Sequence, residues 1–161
     1  MPEVADRLEL PYTPEQVFDL VADVERYPEF VPMWRAVRVR QREADREVVE
    51  QVLGRRGFTW RFTTEARFRR PERIRIASRD APFRYLVLLW GFRPAGDGGC
   101  RVSYRARYEL RRLPLRRVLE AMFSDSLGRV VGAFEARAHA LYGGASRFRD
   151  RASNRDDRRR S

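Results

Sequence analysis

The chain has 161 residues, of which 43% are hydrophobic and 12% aromatic, and this composition indicates one globular domain and excludes a wholly disordered chain. The formal net charge is +11 and every basic residue is arginine, so we expect attraction to a polyanion, either nucleic acid or an anionic membrane surface. The longest apolar run, Tyr85–Trp90, is far shorter than the ~20 residues of a membrane-spanning helix. The acidic, alternating N-terminus is neither a secretory signal nor a transit peptide.

A single cysteine and a single histidine restrict the chemistry that the chain can perform. Cys100 has no partner for an intramolecular disulfide, and the common Cys/His metal sites need several such ligands. A nucleophile pair would have to use His139, which lies in a helical pattern. No two carboxylates pair convincingly for acid–base catalysis. The residues therefore predict neither a catalytic site nor a metal site.

The first two predicted elements are a strand and a helix. Val4, Leu8 and Leu10 share one parity, which indicates a strand. A Thr-x-x-Gln capping box at Thr13, with proline at the next position, predicts that a helix begins there. The segment Tyr27–Pro32 contains two prolines, each of which favours an extended conformation in the residue before it. We therefore predict an ordered, aromatic-rich loop in this segment rather than continued helix.

From Trp34 to Leu110 the apolar period is two, and Gly- or Pro-containing turns separate the runs. This pattern predicts an antiparallel meander of six strands in addition to the N-terminal one, with an aromatic inner face and an arginine-rich outer face. The stretch Phe83–Phe92 is nearly all apolar, so we expect both of its faces to be covered.

Past Pro114 the apolar residues follow steps of three and four to about Tyr142, which predicts one long helix. A single sheet must cover its apolar face, and this helix is the only predicted element large enough to do so. The predicted fold is therefore α+β, a curved antiparallel sheet of about seven strands wrapped around a long C-terminal helix, with a cavity where the helix stands off the sheet. We assign residues 1–145 to one ligand-binding domain and 146–161 to a disordered basic tail.

Four stretches of the chain resemble the START-like (SRPBCC) helix-grip superfamily. They are Tyr12–Pro32, Leu86–Pro94, Gly99–Val102 and Ala133–Gly143. The resemblance covers about residues 3–143 and narrows to the polyketide cyclase-like branch, which contains coenzyme Q (ubiquinone)-binding proteins and bacterial ribosome-association toxins. Relatives usually place an aromatic–Cys pair after the second proline, where this chain has Met33-Trp34. No thiol at that place can be essential here.

The resemblance implies an apolar ligand between sheet and helix, with Tyr27–Pro32 as a gate at the cavity mouth. The alternatives are that the aromatic residues are ordinary core and that the gate segment is only a helix terminator. Glu135 and Arg137 belong to the signature that carries the resemblance, without an assigned role. The candidate ligand-binding residues come from the gate, the inner face of the sheet and the long helix: Tyr27, Pro28, Phe30, Val31, Pro32, Phe62, Trp90, Phe92, Phe123, Phe134 and Ala138.

We therefore predict a non-enzymatic protein that holds ubiquinone or a related isoprenoid lipid and supports respiratory electron transport as a carrier or chaperone, without a catalytic cofactor. Each buried methylene of such a ligand contributes ~0.8 kcal/mol. The basic surface predicts a cytoplasmic protein at the inner face of the cell membrane. The alternative is a ribosome-associating toxin that blocks subunit joining through its arginine-rich face; a cyclase or dehydratase ranks third. Sequence-specific DNA binding is not expected, because the aromatic residues lie on the inner face.

Overall fold

The computed structural model describes residues 3–55, 57–111, 117 and 129–143. Residues 129–143 are helical and are called α3 here. The other elements, in chain order, are β1 (Glu3–Leu10), α1 (Pro14–Ala22), a 3-10 turn (Val24–Arg26), α2 (Tyr27–Phe30), β2 (Trp34–Arg42), β3 (Arg46–Arg55), β4 (Phe58–Arg69), β5 (Arg73–Ser78), β6 (Phe83–Pro94) and β7 (Cys100–Leu110).

The strands form one antiparallel sheet in the order β1-β7-β6-β5-β4-β3-β2. Consecutive strands from β2 to β7 are neighbours, and β1 adds to the free side of β7, as the period-two pattern predicts. Burial alternates strictly along β7 from Cys100 to Leu110, so the inner face is apolar and the outer face carries the arginines. The predicted α+β fold, with a curved seven-stranded sheet and a helix against its inner face, is confirmed.

The α1 helix begins as the capping box predicts. The hydroxyl of Thr13 accepts a hydrogen bond from the backbone N–H of Gln16 (3.2 Å), and the Gln16 side chain accepts one from the backbone N–H of Thr13 (3.0 Å). Two N–H groups at the start of the helix, which have no partner within it, are thereby satisfied. The buried face of α1 packs against β5, β6 and β7.

The segment that the sequence predicts as a loop is instead mostly helical. A 3-10 turn leads directly into α2, and Val31 donates its backbone N–H to the carbonyl of Tyr27 (2.8 Å). Pro28 lies in the first turn of α2, where a backbone N–H would have no intrahelical partner, so proline does not break the helix there. Only Val31, which precedes Pro32, has the expected extended conformation, with φ −90° and ψ 125°.

The prediction that both faces of β6 are covered is also wrong. On the inner side Leu86, Trp90 and Phe92 are buried, but on the outer side Val87 and Leu89 are only half-buried. In register with these two residues stand Arg107 and Arg105 of β7. The outer apolar residues therefore lie among arginines on the surface.

Within α3, the predicted apolar stripe packs onto the sheet except at Leu141, which is exposed. Val130, Val131, Phe134 and Ala138 are all buried. The predicted start of this helix near Pro114 and the predicted tail 146–161 lie outside the described residues. No helix in the described part of the chain is long and apolar enough to cross a membrane.

Candidate functional site

Two small cavities lie side by side between the inner face of the sheet and α3. Their volumes are about 30 Å³ and about 40 Å³. The first extends toward Met33, Leu53 and Phe62, and the second toward Tyr27, Trp90 and Phe134. Because about 10–15 Å³ in this measure holds one water molecule, neither cavity has room for a ring until its walls move apart. The residues that line both cavities are Trp34, Gln51, Thr64, Leu88 and Val130.

A buried hydrogen-bond chain separates the two cavities. The indole N–H of Trp34 donates to Oε1 of Gln51 (2.7 Å), and Nε2 of Gln51 donates to Oγ1 of Thr64 (2.7 Å). The Thr64 hydroxyl lies 3.5 Å from the carbonyl oxygen of Val49, to which it donates. A side-chain amide has two N–H donors, and the bonds among the described residues use one of those on Gln51. The second N–H is a donor at the boundary of two apolar spaces.

Phe134 of α3 is the centre of an aromatic cluster that joins the helix to α2 and the sheet. Its ring centroid is 5.1 Å from that of Tyr27, 5.2 Å from that of Phe30 and 5.0 Å from that of Trp90, all edge-to-face. Such arrangements match the positive edge of one ring to the negative face of another. The Tyr27 hydroxyl donates to the carbonyl oxygen of Val21, so the polar end of this ring is satisfied inside the protein.

A surface contact fastens α2 to α3 beside this cluster. Nη2 of Arg137 donates to Oε2 of Glu29 (2.9 Å), and the guanidinium carbon lies 5.1 Å from the centre of the Phe30 ring. Glu29 also accepts a hydrogen bond from Arg26 (3.0 Å), and this bond, with a smaller contribution from the charge of Arg137, lowers the pKa of Glu29. The Arg137 contact with Glu29 and Phe30, called the α2 latch below, gives Arg137 a structural role that the sequence left open.

The family model described as polyketide cyclase / dehydrase and lipid transport matches residues 10–135. The chain belongs to this family. The ribosome association toxin RatA of Pseudomonas aeruginosa is 30% identical over 134 residues, covering 83% of this chain and 93% of the toxin. The coenzyme Q-binding protein COQ10 of Dictyostelium discoideum is 24% identical over 145 residues, covering 88% of this chain and 71% of that protein. The solution structure of an 18 kDa protein from Caulobacter crescentus aligns with a TM-score of 0.70 at 31% identity, covering 89% and 99% of the two chains.

The structure brings only some of the candidate site residues of this family member to the cavities. Phe62 lines the first cavity, and Tyr27, Trp90 and Phe134 line the second. Phe30 belongs to the α2 latch, and Ala138 is fully buried in the packing between α3 and the sheet. Phe123 lies outside the described residues. The described candidates that line neither cavity are Pro28, Phe30, Val31, Pro32, Phe92 and Ala138.

Sequence reasoning about the site missed most of the lining residues, among them the three that form the buried hydrogen-bond chain, Trp34, Gln51 and Thr64. Gln51 and Thr64 occupy inward positions of β3 and β4 and are 5% and 2% exposed. A polar residue at an inward position of an apolar strand is the signal that could have identified them, because a buried polar group needs a hydrogen-bond partner.

The described walls of the two cavities carry few groups for acid–base or metal chemistry. Among the described residues that line the cavities there is no carboxylate, histidine or arginine. Burial raises the pKa of Tyr27 and Tyr104 well above the usual value, so both phenols are neutral at physiological pH. Burial also raises the pKa of the Cys100 thiol. No group of three potential metal ligands occurs in the described ranges. The arrangement is suited to holding an apolar molecule with one hydrogen-bond acceptor.

Proposed function

We propose that this chain binds an isoprenoid quinone, or a lipid of similar shape, between the sheet and α3, and acts as a carrier or chaperone rather than as an enzyme. The observation that carries the proposal is the amide of Gln51, a buried donor between two apolar cavities. A quinone combines carbonyl acceptors on a flat ring with an apolar tail. The free N–H of Gln51 would donate to a ring carbonyl, while the tail gains ~0.8 kcal/mol for each buried methylene.

Loading requires the cavities to open, because about 30 Å³ and about 40 Å³ cannot contain a quinone ring. The contacts between α2 and α3 nearest the second cavity are the α2 latch and the aromatic pairs that Phe134 forms with Tyr27 and Phe30. We therefore place ligand entry between α2 and α3. This refines the gate predicted for Tyr27–Pro32, since the moving part would be a short helix held by Arg137.

Tryptophan fluorescence provides a direct assay, because Trp34 lines both cavities and Trp90 lines the second. Titration with a short-chain ubiquinone is expected to quench this fluorescence, and the quenching is expected to reach a plateau as the site fills. Leu88→Phe, which fills both cavities, is expected to weaken binding, and Gln51→Leu is expected to weaken it by removing the donor. The matched control is Leu8→Phe, since Leu8 is also half-buried but lines neither cavity.

Two results would contradict the proposal. One is quenching that never saturates; the other is equal affinity in Leu88→Phe, Gln51→Leu and the parent. Organic extraction of the purified chain, followed by mass spectrometry, gives an independent measurement. We expect an isoprenoid lipid in the parent extract and less of it in the Leu88→Phe extract.

A second candidate function is association with the ribosome. It is favoured by the arginine-rich outer face of the sheet and by the 30% identity to a ribosome association toxin. A polyanion attracts such a surface at a strength that falls with salt. Sedimentation of the chain with purified ribosomal subunits tests this function; a chain that stays at the top of the gradient at low salt would contradict it. The same charge also supports the proposed attraction to an anionic membrane surface.

A further inference from the structure

A groove of about 1010 Å³ crosses the outer face of the sheet, on the side opposite to α3. It runs over β1, β7, β6 and β5, and its floor is formed by Gly91 and Ser103, which stand directly opposite each other in the β6–β7 ladder. A Cβ atom added to Gly91 would lie 2.5 Å from Oγ of Ser103. The floor is therefore low because position 91 has no side chain.

The strand register places an arginine on each side of this floor. Arg7 of β1 is in register with Ser103, and Arg73 of β5 is in register with Gly91. The row Arg7–Ser103–Gly91–Arg73 thus runs straight across four strands. With neighbouring strands ~4.8 Å apart, the two arginine backbones are separated by ~14 Å. Arg93 and Arg105 also line the groove.

Three of the four arginines that line the groove, Arg7, Arg73 and Arg93, differ from most others on this face in lacking acidic partners among the described residues. Outside the groove, Arg101 bonds to Glu9 (3.0 Å) and Arg107 to Glu3 (2.9 Å). In the described part of the chain, the exposed side chains of Arg7, Arg73 and Arg93 make no ion pair and no hydrogen bond. Positive charge that the protein does not neutralise is therefore concentrated along one channel.

The remaining charges of the groove offset only part of this excess. Arg105 pairs with Glu3 (3.2 Å). Of the two acidic residues in the lining, Glu72 pairs with Arg69 (3.1 Å), and Asp6 accepts a hydrogen bond from the backbone N–H of Arg7 (2.8 Å).

We propose that this groove binds the phosphodiester backbone of structured RNA, with Arg7 and Arg73 on opposite walls and Arg93 beside the floor. Guanidinium groups bind phosphate oxygens through two parallel hydrogen bonds, and the hydroxyl of Ser103 supplies a neutral one. The aromatic residues Trp90 and Tyr104 of these strands are buried toward the interior, so the groove has no platform for stacked bases. Recognition is therefore of the backbone and independent of sequence.

A recessed channel favours RNA over a membrane surface. A flat bilayer would touch the rim, whereas a phosphodiester chain can enter the groove and meet arginines on both sides. Leu89 of β6 points to the outer face, lines the groove and is only half-buried. One such residue does not form the exposed apolar stripe of an interfacial membrane-binding element. The inference rests on ribosome association as the second proposed function and names the surface that would serve it.

The test compares two triple variants of the full chain that lose the same charge. The groove variant carries Arg7→Gln, Arg73→Gln and Arg93→Gln. The control carries Arg35→Gln, Arg38→Gln and Arg79→Gln, which replace exposed arginines that likewise make no ion pair within the described residues but lie away from the groove. Both are titrated with a fluorescent RNA hairpin over a series of salt concentrations, and circular dichroism verifies that both are folded.

A plot of the log of the RNA association constant against the log of the salt concentration has a negative slope. In the groove variant this slope is expected to be shallower by about two to three, since each lost phosphate contact reduces its magnitude by ~0.7–0.9. The control is expected to keep the parent slope. An equal loss of slope in both variants would overturn the proposal, because binding would then follow net charge alone. If a triple variant fails to fold, the single variants Arg73→Gln and Arg38→Gln make the same comparison with an expected difference of about one.

A floor variant separates RNA from a membrane without changing the charge. Gly91→Leu combined with Ser103→Ala fills the channel and removes the 2.5 Å clash. We expect it to bind the hairpin at least about tenfold more weakly than the parent at low salt. Vesicles containing phosphatidylglycerol are the second probe. A floor variant that retains RNA binding and binds these vesicles more tightly would identify a membrane surface and overturn the proposal.

Sedimentation with ribosomal subunits distinguishes failure of this inference from failure of the second proposed function. If the parent and the groove variant cosediment equally with a subunit, ribosome association stands and the groove assignment is overturned. If the parent does not cosediment while hairpin binding still depends on Arg7, Arg73 and Arg93, the groove assignment stands and ribosome association fails.

Discussion

Replacing Phe134 with alanine tests how the interior of this protein divides between packed core and ligand space. Phe134 is 3% exposed, makes edge-to-face contacts with three aromatic rings and borders the cavity of about 40 Å³. Phe→Ala at a buried site lowers the free energy of unfolding by about 3–5 kcal/mol. At roughly 2–4 °C per kcal/mol for a chain of this size, Tm is expected to fall by about 6–20 °C.

The assay is thermal unfolding with and without benzene. The space left by Phe134→Ala would merge with the neighbouring cavity, and an enlarged apolar cavity stays dry and accepts a small aromatic molecule. Benzene is therefore expected to raise the Tm of the variant by more than that of the parent, because a ligand that binds only the folded state stabilises it. The matched control is Phe92→Ala. Phe92 is 2% exposed and lines neither interior cavity, so a similar loss of stability with a smaller response to benzene is expected.

Two outcomes would refute this reasoning about Phe134. A loss below about 1 kcal/mol would show that the cluster does not hold α3 against α2 and β6. A benzene response that is equal in Phe134→Ala and Phe92→Ala would show that the cavity beside Phe134 has no special capacity for a ligand.

Three further predictions concern the packing at Ala138, the hydrogen bond between Tyr12 and His139, and the dependence of stability on pH. Ala138→Leu is expected to lower the free energy of unfolding by about 1–3 kcal/mol in urea titrations, because Ala138 is 0% exposed and a larger side chain overpacks its site. Tyr12→Phe removes the 2.6 Å hydrogen bond between the Tyr12 hydroxyl and Nδ1 of His139, and the same titration is expected to show a loss of about 0.5–1.5 kcal/mol. Above about pH 10 the tyrosines of the unfolded chain ionise, while Tyr27 and Tyr104, whose pKa is raised by burial, keep their protons in the folded state. The folded state then binds more protons, so stability decreases as pH rises past that point. Tyr104→Phe should weaken this dependence, as urea midpoints at about pH 8 and about pH 11 would measure.

The fold could be predicted from the sequence because local signals agree along most of the chain. The alternation from Cys100 to Leu110 and the capping box at Thr13 each indicate one conformation, and both are observed. The prediction of a loop for Tyr27–Pro32 was wrong because of where Pro28 lies within its helix. A proline ends a helix only beyond its first turn, and the sequence does not reveal that Pro28 falls within the first turn of a new helix.

The candidate site was harder to predict than the fold, because cavity walls depend on which side chains meet across the sheet. Phe92 and Trp90 look alike in the sequence and both are buried, yet only Trp90 borders a cavity between the sheet and α3. Phe92 is covered by Phe18 of α1, whose ring is 5.5 Å away. Whether a buried ring is packed core or cavity wall depends on which residue of another element packs against it. The periodicity of a single strand carries no information about that residue.

The α2 latch joins two motifs that are 108 residues apart in the chain. Glu29 and Phe30 lie in the Tyr-Pro-x-Phe motif, and Arg137 lies in the Phe-Glu-x-Arg motif in the middle of α3. Substitutions in the two motifs are therefore expected to be coupled, since a change of charge at position 29 alters what position 137 can bind. Among homologues, these positions should vary together. A chimera that takes α2 from one relative and α3 from another must carry both ends of this contact from the same parent.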